Sequence, residues 1–158
     1  MHGGGAAGGK EAALERLRRN LDRLSPAARG LFVLENDDRV YTPTDLLPLC
    51  RAEGVPLVYD VHHHRCNPDG LEIAEATELA ARTWGGREPW LHVSSPRAGW
   101  KDGDPRPHAD FIQPADVPRA WLGRSATVDV EAKQKELAVL RLQRWLRARE
   151  PAAPEAAR

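Results

Sequence analysis

Cysteine is scarce in this chain: Cys50 and Cys66 stand apart, in no CxxC or finger spacing, which excludes a disulfide-built scaffold and a cysteine zinc module. Both are expected as reduced thiols of a cytoplasmic protein, Cys50 on an apolar helix and Cys66 in a polar loop. An excess of charge is also lacking. Lys plus Arg and Asp plus Glu number 23 each, so no global positive field marks a polyanionic partner. Any such partner has to be attracted locally, through metal ions and a few basic side chains. Long apolar runs are absent too, the longest, such as 31–34, falling far below the ~18 residues of a bilayer span. The glycine-rich start has no signal-peptide core. Neither export nor membrane insertion is expected, and nothing points to an obligate protein partner.

What is present is alternation. From Lys10, Leu14, Leu17, Leu21 and Leu24 recur at helical spacing, and Ser25-Pro26 is expected to end that helix. The apolar run 31–34 predicts a strand that stops at Glu35-Asn36-Asp37-Asp38. Thr42-Pro43-Thr44-Asp45 then reads as a capped helix start, and Gly54 as its close. Residues 56–61 predict a second strand, ending in His62, His63 and His64; 71–84 a helix; 90–93 a third strand containing His92. A long loop over 94–107 leads to a short helix near 114–122. A fourth strand over 126–130 stops at Glu131, and a helix runs from 132 to about 147 with Ala138, Leu142, Trp145 and Leu146 on one face. Helices alternating with short apolar strands predict α/β structure with parallel βα units. The domain is placed at 1–150 and a frayed tail at 151–158. At 158 residues the chain falls below the roughly 250 of a complete eight-unit barrel.

Glu35, Asp60, His63, His92 and Glu131 fall at or just beyond successive strand ends, the face on which parallel barrels build their sites. Carboxylate oxygens and imidazole nitrogens converging there suit Mn²⁺ or Zn²⁺ better than Mg²⁺ or Ca²⁺. Ligands spread over four strands can hold more than one ion, the arrangement that activates water and clamps both oxygens in phosphodiester hydrolysis. Singly, each acid reads equally as a solvated charge or a helix cap, and the three histidines as a surface tract. Their shared position argues for a site, with Glu35, Asp60 and Glu131 as the catalytic carboxylates.

The ordered series Leu34-Glu35-Asn36-Asp37-Asp38, Tyr41-Thr42, Asp60-Val61-His62-His63-His64, His92-Val93-Ser94-Ser95, His108-Ala109-Asp110 and Glu131-Ala132-Lys133-Gln134-Lys135 resembles the UV damage endonuclease family. The resemblance covers nearly the whole chain. It implies a TIM-type barrel akin to endonuclease IV, and an enzyme that nicks double-stranded DNA on the 5′ side of UV photoproducts. It also implies a cluster of divalent ions, Mn²⁺ first, with Zn²⁺ or Mg²⁺ open. Carried over residue by residue, Glu35, Asp60, His63, His92, His108 and Glu131 match metal-ligand positions, and His2 resembles another.

Two departures accompany the match. Trp90 stands where the family pattern has a lysine two residues before the histidine. The match also starts near the middle of that pattern, so the expectation is an incomplete barrel of about the last four βα units, weakly active or inactive by itself. Arg97, Lys101 and Arg106, in and beside the long loop, are expected to contact phosphate, because a neutral protein needs local cations to hold DNA. A sugar isomerase or epimerase of similar barrel architecture, and a non-catalytic remnant, stand as alternatives.

Overall fold

Short apolar runs, each followed by polar residues, become four parallel strands in a computed structural model that describes residues 1–149; the expected tail, 151–158, lies outside the described residues. The strands are β1 (Leu34–Glu35), β2 (Leu57–Asp60), β3 (Trp90–Val93) and β4 (Thr127–Val130), and they lie side by side in sequence order. All three pairings are parallel, with Glu35 opposite Val58, Asp60 opposite His92 and His92 opposite Asp129. β2 is buried along its whole length, as a strand covered on both faces must be. In β3 the period of two separates the faces: Leu91 and Val93 are buried, whereas Trp90 and His92 point to the other side.

The helices are α1 (Lys10–Leu21), α2 (Pro26–Leu31), α3 (Pro43–Glu53), α4 (Val61–Cys66), α5 (Ile73–Arg82) and α6 (Lys135–Arg147). In α3 the expected capping box forms: Thr42 accepts from the Asp45 N–H and the Asp45 carboxylate accepts from the Thr42 N–H, with Pro43 at the first helical position and Gly54 closing the helix in the left-handed region. The core gathers where α3 and α5 pack on β2 and on each other, around Leu46, Cys50, Leu57, Tyr59, Ala76, Ala80 and Leu91.

Three expectations are corrected. Ser25-Pro26 does not merely end a helix. Ser25 accepts from the Ala28 N–H and Pro26 occupies the first helical position, so a six-residue helix consumes 26–31, Leu31 is left exposed, and β1 shrinks to two residues. Cys66 is not in a loop, nor are the three histidines a surface tract: Asp60 caps α4 by accepting from the His63 N–H, and the chain turns into helix directly at the end of β2 with all three rings buried. The expected helix near 114–122 is two 3₁₀ turns, Pro114–Asp116 and Arg119–Trp121, because Pro118 between them supplies no N–H.

The segment between β3 and β4 is tied down by Asp116. Its carboxylate accepts from Ser95 Oγ and from Trp100 Nε1 at 2.8 Å, and its carbonyl accepts from Arg65 at 2.9 Å. Trp121 Nε1 donates to Thr77 Oγ1 at 2.9 Å, fastening the second 3₁₀ turn to α5. The loop that carries His108 is thereby held over the strand ends.

Candidate metal centre

Strand register delivers the site. Glu35 and Asp60 are the last residues of β1 and β2, His92 faces inward from β3, and Glu131 follows β4 directly. His92 Nδ1 lies 3.0 Å from Glu35 Oε1, 3.3 Å from Glu131 Oε1 and 3.9 Å from Asp60 Oδ2. His63, in the first turn of α4, places Nδ1 3.5 Å from both Glu35 Oε1 and Asp60 Oδ2. Of the three consecutive histidines only this one reaches the strand ends, since successive helical residues diverge by about 100°. His62 packs against Trp100 and His108, and His64 sits between Tyr59 and Asp69, 2.7 and 2.8 Å from their oxygens.

His108 comes from the loop after β3, where a bridge between Pro96 and His108 folds it back; its Nδ1 is 3.8 Å from Glu131 Oε2. His2 arrives by main-chain pairing. Glu35 N–H donates to the Met1 carbonyl at 3.0 Å, His2 bridges Glu35 in parallel, and the His2 ring places Nε2 3.5 Å from Glu35 Oε2. The first two residues therefore act as a strand fragment beside β1, which no periodicity could disclose in so short a piece.

These side chains form three overlapping groups, each with ligand atoms close enough to converge on one ion: His2, Glu35 and His63; His63, His108 and Glu131; and Glu35, Asp60, His92 and Glu131. A divalent cation fits the last group on a specific ground. Asp60 Oδ2 is fully buried and has no hydrogen-bond partner among the described residues, whereas buried carboxylate oxygens are ordinarily paired or bound to metal. Burial pushes the Asp60 carboxyl up to about 7. At His92 burial works against the charged ring, but bonds to Glu131 and Glu35 outweigh it and push the imidazole up to about 10. Glu35 is held below the usual carboxylate range, its burial overcome by the His92 hydrogen bond, and Glu131 is lowered first by that same ring. Burial lowers His108.

Two supporting residues escape sequence reasoning. Asn36, fully buried, donates from Nδ2 to the Asp60 carbonyl at 2.8 Å and accepts at Oδ1 from the Asp60 N–H at 3.0 Å, extending the β1–β2 ladder by a side chain. Its own carbonyl lies 3.0 Å from His63 Nδ1; a carbonyl only accepts, so the proton sits on Nδ1 and the lone pair on Nε2. Asp129, opposite His92 in the ladder, places Oδ2 3.4 Å from His92 Nε2. It is the outer carboxylate of a carboxylate–histidine pair whose inner nitrogen faces the site. Of the three cations expected on phosphate, Arg106 lines the cleft beside His108 and Glu131, while Arg97 and Lys101 are exposed and do not line it.

A family description, UV-endonuclease UvdE, matches residues 1–154. The chain is 36% identical over 149 residues to the UV DNA damage endonuclease of Bacillus mycoides (strain KBAB4), and 36% identical over 153 residues to that of Bacillus velezensis (strain DSM 23117 / BGSC 10A6 / LMG 26770 / FZB42). Each alignment takes in 90% of this chain and 46% of the relative, so the chain spans about half the length of the curated relatives it matches. The crystal structure of SacUVDE superposes with a TM-score of 0.82 at 27% identity, over 93% of this chain and 50% of that one. Sequence over nine-tenths of the chain and the parallel α/β fold agree: the chain belongs to the UV-endonuclease UvdE family.

Proposed function

We propose that this chain carries the metal centre of a DNA repair endonuclease that incises the phosphodiester backbone on the 5′ side of UV photoproducts, with Mn²⁺ as its ion. The observation that carries the reading is the convergence of Glu35, Asp60, His92 and Glu131 around the unpartnered Asp60 oxygen. His63, His108 and His2 extend that group on both sides. Mixed nitrogen and oxygen donors favour Mn²⁺ or Zn²⁺ over Mg²⁺. When bound, such ions supply a nucleophile at neutral pH and charge stabilisation for an in-line displacement at phosphorus.

The chain's own groups do the holding. Glu35 reaches toward both His2 and His92, and so joins two of the three groups. Glu131 joins His92 to His108 in the same way. Asn36 fixes Asp60 and the His63 ring, and Glu35, Asp60, His92 and Glu131 lie on or directly after strands, which favours a set geometry at the reacting phosphate. Relatives 36% identical to this chain over the aligned stretch are named UV DNA damage endonucleases, which supports the nuclease reading over a sugar isomerase of similar architecture. The test is incision of UV-irradiated supercoiled plasmid with Mn²⁺, beside unirradiated plasmid and a panel of ketoses. Weak nicking by this chain, confined to irradiated DNA and abolished by Glu35→Gln, is expected. Turnover of a sugar, or nicking that Glu35→Gln leaves intact, would reject the reading.

A further inference from the structure

A cleft of about 610 Å³ opens beside the metal centre, and its walls include His108 and Glu131 together with Arg106, Lys133 and Lys135. The three cations are not equivalent. Arg106 is held by Asp104 through two bonds of 2.8 and 3.0 Å, so its charge is already answered. Lys133 and Lys135 are exposed, and among the described residues Lys10, with Asp45, is the only lysine in an ion pair. Two unanswered ammonium groups therefore share a wall with two carboxylate and imidazole donors of the metal centre.

The turn that presents them is fixed. Lys133 N–H donates to the Ala109 carbonyl at 3.0 Å and Gln134 N–H to the Asp110 carbonyl at 3.1 Å, which joins this turn to the segment bearing His108. Lys135 has φ 46°, the only positive φ among the described non-glycine residues. A β-carbon disfavours that conformation, and such strain persists where the surrounding structure holds it and tends to gather at functional positions. The chain has no net charge, so no global field draws a polyanion to this edge. An approaching strand thus needs local cations at this edge.

We propose that Lys133 and Lys135 form a phosphate subsite for the nucleic-acid strand, gripping phosphodiesters beside the one that reaches the metal centre. The subsite rests on the endonuclease reading above. Lysine acts there as a point charge and reads no base, so the contact is indifferent to sequence.

The experiment measures binding of a short UV-irradiated duplex to the full chain by fluorescence anisotropy over a series of salt concentrations, with the duplex checked to be unbroken afterwards. Mn²⁺ binding is measured in parallel by calorimetry. Lys133→Gln and Lys135→Gln are each expected to reduce the steepness of log affinity against log salt by about 0.9. Lys133→Arg and Lys135→Arg should retain it, and Mn²⁺ affinity should not move. Lys135→Gly removes the same charge while relieving the positive φ, so a fold lost through strain cannot mimic the result. An unchanged slope in the neutral variants overturns the subsite, as does a slope change accompanied by lost Mn²⁺ binding, which would place the lysines' effect in the metal centre. If the unsubstituted chain binds Mn²⁺ but no duplex, both the subsite and the endonuclease reading fall.

Discussion

His92 stands among the carboxylates of Glu35, Asp60 and Glu131, and its protonated ring answers part of their charge. A divalent cation entering this group has to displace protons. Below about 10 the ring holds one, and below about 7 Asp60 holds another. Apparent Mn²⁺ affinity therefore rises with pH throughout, more steeply below pH 7, where two protons leave, than between 7 and 10, where one does. Each proton steepens the dependence by up to about tenfold per pH unit. Calorimetry in buffers of different ionisation enthalpy measures the number released; a value of zero at neutral pH would refute this assignment. Asp129 acts one step outward. Removing an outer-sphere partner typically costs ~10–100-fold in metal affinity, so Asp129→Ala is expected to weaken Mn²⁺ binding by that order. Asp129→Asn, which keeps an acceptor at the same place, should recover part of the loss. Equal losses in the two variants would mean that the carboxylate's charge, not its orientation of the ring, matters. Neither Asp129 nor Asn36 was legible in the sequence. Each looks like an ordinary polar residue, one inside a strand and one after it, and only the ladder shows what it faces.

At the scale of elements, the parts read directly from sequence were those whose physics is local and repeated over several residues. The strand over 90–93 and the capping box of α3 belong here, as does the placement of Ala138 and Leu142 on the buried side of α6. The parts missed depend on one or two side chains bonding to nearby backbone. Ser25 and Asp60 each convert an apparent terminator or loop into a six-residue helix, α2 and α4, too short to show any period. The second conversion matters for the site, because the start of α4 is what separates the three histidines and sends His63 alone toward Glu35. Asn36 locks this junction. Asn36→Ala leaves the N–H and C=O of Asp60 without their partners, and an unmade buried hydrogen bond costs ~1–3 kcal/mol. Chemical denaturation of the metal-free chain should show a loss of that size, and Mn²⁺ affinity should fall as well, since Asp60 loses its side-chain anchor while the main-chain carbonyl facing His63 stays. A loss of stability with metal affinity untouched would reduce Asn36 to a packing residue.

Taken whole, the molecule separates its chemistry by face. Apolar side chains of β2 meet α3 and α5, and the strand ends and their neighbours gather seven potential ligands, His2, Glu35, Asp60, His63, His92, His108 and Glu131, drawn from six stretches of chain. The five at strand ends were legible because a parallel sheet brings successive strand ends to one side. His108 and His2 were marked by resemblance alone, one lying in a long loop and the other two residues from the start of the chain. A net charge of zero with local cations at one cleft fits the proposed reading, in which a polyanion is drawn to the site rather than to the whole surface. All of this depends on the strand ends being a metal centre. The direct measurement is Mn²⁺ titration by calorimetry of the metal-stripped chain beside Glu35→Gln, with circular dichroism establishing that both are folded. Glu35 contributes to two of the three groups, so the account predicts saturable binding by the chain and a loss of at least ~100-fold in the variant, beyond what an outer-sphere change produces. No binding by the folded chain, or equal affinity in the variant, would contradict it.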